Sequence, residues 1–346
     1  MKRYLFGLDE QHPAASTKLL VQRGYDGVVL SGKNPDAFQA AKDAGLETWL
    51  CYGAFSLGEF DPAVYGAVDA LDRSAPWFGS SCPNAAEVAE YNLQKALQAA
   101  EKCAPTGVIV DGARFASFAS AEGHASFFGC FCPRCMEKMV AMGINAPEVK
   151  AGIADLMHYL KNEPHSSSIP RMRNALEAWQ DFRGRCVKQY FDRFAVQAHA
   201  AGLDAGAFVF APSLWWMVGQ RPDGMGSLDL VAPMLYRAYP HKEGPACLNH
   251  EWAAFRELLS HADRSVEDVA SLIFDLPLMG GEDPMQGFSP EHVADEVRAA
   301  RAMLPKKVQL APIVQTEDDA LEEVISGVMA AGADGCGEFQ YAQKQF

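Results

Sequence analysis

Residues 107–135 read GVIVDGARFASFASAEGHASFFGCFCPRC. Gly107-Val108-Ile109-Val110 is a continuous apolar run that stops abruptly at Asp111, with Arg114 three residues on. A carboxylate and a guanidinium are out of place in a core. They suit the carboxyl-terminal mouth of a parallel barrel, where ligands bind. Past a polar, aromatic loop come Cys130, Cys132 and Cys135 in C-x-C-x2-C spacing. Thiols so spaced suit a metal that pins the loop down.

The same rhythm of short apolar runs and longer helical stretches extends in both directions. Eight strands are expected: Tyr4–Leu8, Gly27–Ser31, Thr48–Tyr52, Gly107–Asp111, Ala205–Phe210, Leu228–Leu235, Val308–Val314 and Gly335–Tyr341. Most are unbroken apolar runs, as in strands covered on both faces. Helices are expected between them, for example Pro35–Ala44, Ala85–Lys102, Met172–Ala201 and Pro290–Met303. Three helix-to-strand joints repeat one pattern, at Gly24–Gly27, Gly202–Ala205 and Gly332–Gly335. Each opens with a glycine where a helix takes a left-handed cap. Eight such units argue for a closed (β/α)8 TIM barrel over an open doubly wound sheet. Long insertions are expected after strands four and six, at about 112–170 and 238–306. The apolar segment 272–278 falls in the second and is expected to stay outside the ring.

A chain of 346 residues, 49% hydrophobic, can form such a barrel as a single domain spanning 1–346. The net charge of −14 argues against nucleic acid or an anionic membrane as the main partner. It is compatible with a neutral substrate such as a sugar. The start, Met1–Gly7, is too short and too quickly polar for a signal peptide, and no apolar run would span a bilayer. Cytoplasm is the default expectation; a homo-oligomer stays open.

In a reducing compartment the nine cysteines need a use other than disulfides. Cys130, Cys132 and Cys135 can turn onto one ion, and tetrahedral zinc needs a fourth ligand. Cys82, in Ser80-Ser81-Cys82-Pro83-Asn84, fits best, with His124 as the alternative. Such zinc would be structural, since a closed four-ligand site leaves no position for substrate. The competing reading is a set of reduced thiols without metal.

If the strands share one mouth, their polar tips converge there. The tips include Asp9, Tyr52, Asp111 with Arg114, Tyr236 with Arg237, Glu317 and Glu338. Aromatic residues crowd the same loops, among them Trp77, Phe78, Trp215 and Trp216. Facing carboxylates amid aromatics are what glycosidic cleavage needs: one protonates the leaving oxygen and the other stabilises or attacks the anomeric carbon. Blander readings stand beside each. Asp111 and Arg114 could form a structural ion pair, Glu317 could cap a helix, Glu338 could pair with an arginine, and the tryptophans could cover the core.

Two resemblances bear on these residues. Cys82 with Cys130-Phe131-Cys132-Pro133-Arg134-Cys135 resembles the zinc-binding cysteines of glycoside hydrolase family 42 β-galactosidases. The stretches Val110–Phe115, Ala232–Tyr236 and Leu310–Gln315 resemble strands four, six and seven of glycoside-hydrolase-like TIM barrels. The resemblance implies a barrel, a structural zinc and a sugar-related activity. Family 42 carries an Asn-Glu pair at the end of strand four, where this chain has Val110-Asp111, and a glutamate nucleophile at strand seven, where this chain has Gln315-Thr316-Glu317.

The sequence therefore leads to a glycoside hydrolase-like barrel enzyme acting on a carbohydrate. Asp111, Glu317 and, in reserve, Glu338 are its candidate catalytic carboxylates. Asp9, Tyr52, Arg114, Trp215, Trp216, Tyr236 and Arg237 would contact the sugar. Two alternatives are a carbohydrate-binding barrel without turnover and a different sugar-processing barrel enzyme. A metal-dependent hydrolase or isomerase would need more histidines at strand ends than His12 and His241.

Overall fold

The computed structural model describes residues 2–6, 8–120, 124–239, 247–260, 264–276 and 283–340. Tyr341 of the eighth expected strand, His241 and the end of the apolar segment at 277–278 lie outside them.

Nine strand segments form one parallel sheet: β1 (Lys2–Phe6), β2 (Gly27–Leu30), β3 (Glu47–Gly53), β4 (Gly107–Asp111), β5 (Asp204–Val209), β6 (Leu230–Pro233), β7 (Gln309–Leu310), β8 (Ile313–Gln315) and β9 (Gly335–Phe339). β7 pairs with β6, and β8 pairs with β9. Between them Met234 bridges Ile313, and the Leu235 N–H donates to the Ile313 carbonyl at 2.8 Å. β7 and β8 are thus one stave interrupted at Ala311-Pro312, where proline has no N–H to give the ladder. With β9 also paired to β1, eight staves close into a (β/α)8 barrel. All eight expected strands are present. The segment 272–278 is not a ninth: Leu272–Phe274 belong to a π-helical turn, Ala270–Phe274, and Asp275 and Leu276 follow it outside any strand.

Each joint glycine has a positive φ, +76° at Gly24, +74° at Gly202 and +99° at Gly332. Two of the aspartates that follow tie neighbouring staves together. Asp26 accepts the Arg3 N–H at 2.8 Å, and Asp334 accepts the Leu310 N–H at 2.9 Å.

Tyr4, Trp49, Ile109, Phe208 and Ile313 face inward around a residual gap of about 20 Å³, so the barrel is a packed core and not a pore. The large rings fit because glycines stand opposite them. A Cβ on Gly107 would lie 2.5 Å from the Trp49 ring and 2.6 Å from the Asp204 carbonyl oxygen. Gly107→Ala is therefore expected to cost about 1–3 kcal/mol through overpacking. Urea unfolding measures it, and an unchanged midpoint would contradict this packing.

Two long connections build the mouth. The segment after β3, 54–85, carries an antiparallel bridge between Trp77 and Ser80. The segment after β4 carries the helices Pro133–Ala141 and Ala146–Leu160 before the 32-residue helix Ile169–Ala200. Among the described residues no helix is long and apolar enough to cross a membrane.

Candidate active site

Side chains alternate along a strand. Ile109 faces into the barrel, so Asp111, two residues on, faces the same way at the mouth. It borders a cleft of about 250 Å³ with Phe55, Ser56, Trp77, Phe78 and Arg114. Among the described residues lining the cleft, Asp111 is the only carboxylate. Its side chain is exposed to solvent at the mouth, while the protein packed beneath and around the strand tip desolvates it in part. That desolvation raises its carboxyl above the ordinary aspartate value, against the opposing pull of Arg114 and the Gly112 N–H, 2.7 Å from Oδ1.

Arg114 is only 6% exposed. Its guanidinium lies over the rings of Phe210, Trp77 and Phe78 at 4.6, 4.9 and 5.7 Å, and Nη1 donates to the Phe115 carbonyl at 3.0 Å. It makes no ion pair among the described residues, so the blander reading of a direct Asp111–Arg114 contact pair does not hold. Burial lowers its pKa, while Glu251 and Asp111 oppose the shift from either side.

Glu251 escaped the sequence reading. It is 1% exposed and accepts hydrogen bonds from the Ser117 hydroxyl at 2.7 Å and the Ala119 N–H at 3.0 Å. Burial raises its pKa. A signal was available: Leu248, Glu251, Trp252 and Phe255 fall at helical spacing on the buried face of the helix Leu248–Leu258.

Tyr236 feels the charge of Asp111 but does not line the cleft. It is 2% exposed, with its ring 5.5 Å from Phe339. Burial pushes its phenol up, and the charge of Asp111 adds to the effect. Glu317 is exposed just beyond β8, while its neighbour Asp318 pairs with Arg237 at 2.5 Å. That pair ties the loops after staves six and seven together, and Arg237 also donates to the Phe288 carbonyl at 2.7 Å. Asp9 stands in the loop after β1, accepting the Gln11 N–H at 2.9 Å and facing His12 at 3.1 Å. The Gln11 N–H, more than His12, lowers its pKa.

None of Tyr236, Glu317, Arg237 and Asp9 lines this cleft, and the remaining candidates point away from it. Glu338 alternates with the inward Gly337, so it points into the helix layer, where Arg3 and Tyr25 hold it, the latter at 2.7 Å. Tyr52 is likewise turned outward, to the Tyr190 hydroxyl at 3.0 Å on the helix Ile169–Ala200. Trp215 is buried, its indole N–H on the Phe210 carbonyl at 2.7 Å. Trp216 packs among Phe118, Phe255 and Phe274 at 5.9–6.0 Å. Trp215 is a core residue and Trp216 packs against the core, and neither lines the cleft.

The four cysteines do meet. The Sγ atoms of Cys82, Cys130, Cys132 and Cys135 lie within 4.8 Å of one another, all buried and none in a disulfide. Cys82 is 3.4 Å from Cys135 and 3.6 Å from Cys132. A tetrahedron with metal–sulfur bonds of 2.3 Å has edges of about 3.8 Å, so a small adjustment closes four thiolates on one ion. Donor groups surround the sulfurs. Cys132 caps the N-terminus of the helix Pro133–Ala141, and Asn84 offers its side-chain N–H to Cys135 at 3.2 Å and its backbone N–H to Cys82 at 3.4 Å. The cluster splits its thiols: its neighbours, Cys130 foremost, hold Cys132 well below the usual thiol range, while the same neighbours push Cys82 up and burial pushes Cys135 up. These residues can hold a metal ion, with Cys82 in the fourth position.

The centre joins the two connections that wall the cleft. Cys82 lies five residues beyond Trp77, and Cys130 ends the loop that begins at Arg114. The Phe131 N–H donates to the Val68 carbonyl at 2.7 Å, and Ser126 donates to the Pro76 carbonyl at 2.8 Å. From behind, the wholly buried Arg183 donates to the Ala116 carbonyl at 2.7 Å and lies 4.1 Å over the Trp179 ring.

No family model matches the chain, and no curated protein matches it. Solved structures resemble it in outline. A 3-keto-D-glucoside 4-epimerase from E. coli is 11% identical, with 99% of this chain and 94% of that chain covered at a TM-score of 0.38. A D-psicose 3-epimerase from Clostridium cellulolyticum is 9% identical, with 98% and 84% covered at 0.39. A chitinase from Chromobacterium violaceum is 12% identical, with 91% and 68% covered at 0.38. Likeness at this level assigns neither family nor chemistry.

Proposed function

We propose that the chain is a glycoside hydrolase-like enzyme that cleaves a glycosidic bond at the mouth of its barrel. The observation that carries this reading is Asp111: a carboxyl at a strand tip, in an aromatic cleft, raised by desolvation and close enough to Arg114 to feel its charge. A raised carboxyl keeps its proton to higher pH and can deliver it to a leaving oxygen. Glu317, exposed on the loop after stave seven and outside the cleft lining, is the proposed second carboxylate, to be brought towards Asp111 when a sugar binds. A carboxyl separation of about 5 Å in the working complex would make it a nucleophile; roughly 6.5–9.5 Å would leave room for a water. Asp9 would orient sugar hydroxyls, and the buried Tyr236 would act through Asp111, whose charge it feels. Glu338, Tyr52, Trp215, Trp216 and Arg237 are occupied elsewhere and take no part.

We assign the cysteine centre to structural zinc, because four clustered thiols are the donor set zinc prefers and they leave no ligand position open. Free thiols throughout also fit a reducing compartment, the cytoplasm.

A second reading, a sugar-binding barrel without turnover, is favoured by one observation: no other described carboxylate lines the cleft. A screen of nitrophenyl glycosides and natural oligosaccharides, run with elemental analysis for zinc, separates the two. Release of sugar supports the hydrolase. Binding without release supports the second reading, and neither would sink both.

A further inference from the structure

The rim of the cleft carries a residue ill suited to its backbone. Trp77 and Ser80 pair antiparallel, and the Ser80 N–H donates to the Trp77 carbonyl at 2.8 Å. Phe78 and Gly79 are therefore the two central residues of a tight hairpin turn. Their φ angles are +44° and +62°. Positive φ at both positions defines the type I′ turn, whose first central residue is normally Asn, Asp or Gly. A phenylalanine there crowds its Cβ against the backbone. Core packing does not explain the choice, since Phe78 is 45% exposed while Trp77 beside it is 1% exposed. The ring instead borders the same cleft as Asp111, with the Arg114 guanidinium 5.7 Å from its centroid. Strain held at a cleft points to a role there.

We propose that Phe78 is the stacking platform of the cleft, receiving the apolar C–H face of a sugar ring next to Asp111. The inference rests on the carbohydrate reading above and adds the residue that selects the ligand. A flat, exposed ring on a rigid turn loses little freedom on binding. The turn gives up stability to hold it.

The test compares wild type, Phe78→Asn and Phe78→Tyr by thermal melting and on an array of neutral and acidic oligosaccharides. Asparagine suits the turn but cannot stack. Phe78→Asn is expected to melt a few degrees higher than wild type and to bind its array ligands roughly tenfold more weakly, about 1.4 kcal/mol. Phe78→Tyr is expected to keep the binding. Undiminished binding by Phe78→Asn, a lower melting point for it, or no array binding by wild type would each overturn the proposal. So would a Phe78→Asn variant that changes only the oligomeric state on sizing. Phe78-dependent binding without hydrolysis would sink the hydrolase reading alone. Hydrolysis with an unchanged KM in Phe78→Asn would sink the platform alone.

Discussion

Asp111→Asn is expected to lower kcat by roughly 10²–10⁴-fold, the usual weight of a positioned acid. The amide keeps the size and polarity of the side chain but has no proton of the required acidity. KM should change little, because the aromatic walls and Arg114 stay in place. The pH profile supplies an independent check. A general acid works only while protonated, so wild-type activity should fall on the alkaline side as Asp111 ionises, and the residual activity of the variant should lack that limb. Stability should move the other way. Desolvation raises the folded carboxyl above the 3.8 of an ordinary aspartate, so the folded chain holds this proton more tightly than the unfolded chain. The resulting stabilisation is full below about pH 3.8, is lost as pH climbs through the raised value, and stays lost beyond it. Asp111→Asn removes that slope and should be at least as stable as wild type at neutral pH. Urea melts at several pH values read it, and a variant less stable at pH 7 would mark Asp111 as a structural residue instead.

Removing the proposed zinc is expected to have the second large effect. The four thiols lie between the connection that carries Trp77 and Phe78 and the one that begins at Arg114. An ion that binds only the folded chain adds RT ln(1 + [M]/Kd), about 2.7 kcal/mol at a hundredfold saturation. Without it the centre keeps up to four buried thiols with little to solvate them. Chelation, or Cys135→Ser, is expected to lower the melting temperature and expose 54–85 and 112–132 to protease. Catalysis should disappear with the cleft wall. The barrel below should keep its far-ultraviolet signal, because its staves and inward rings do not depend on the thiols. Full retention of melting temperature and turnover after complete metal removal would show that the centre staples nothing.

The fold was legible because parallel staves covered on both faces leave unbroken apolar runs, as Gly107–Val110 does. The break at Ala311-Pro312 was not, since the run through it reads as one strand and only the pairing shows two. Cys82 could be matched to its three partners because chain order puts its loop next to theirs. The strand tips were harder. One residue along a strand reverses the side chain's face, and that step separates inward Gly337 from outward Glu338, and inward Asp111 from outward Val110. Tyr52 went the same way. Its burial against Tyr190 depends on a helix more than a hundred residues later in the chain, which no local pattern reveals. Phe78 drew notice only as one aromatic among many; its meaning lies in a backbone angle.

A crystal structure of Asp111→Asn soaked with an oligosaccharide that the wild type cleaves tests the central claim most directly. The account predicts a sugar in the cleft between Phe78 and Arg114, with the glycosidic oxygen within about 3.2 Å of the side chain at position 111. A sugar bound elsewhere on the barrel, or one whose scissile bond lies out of reach of that position, would contradict it.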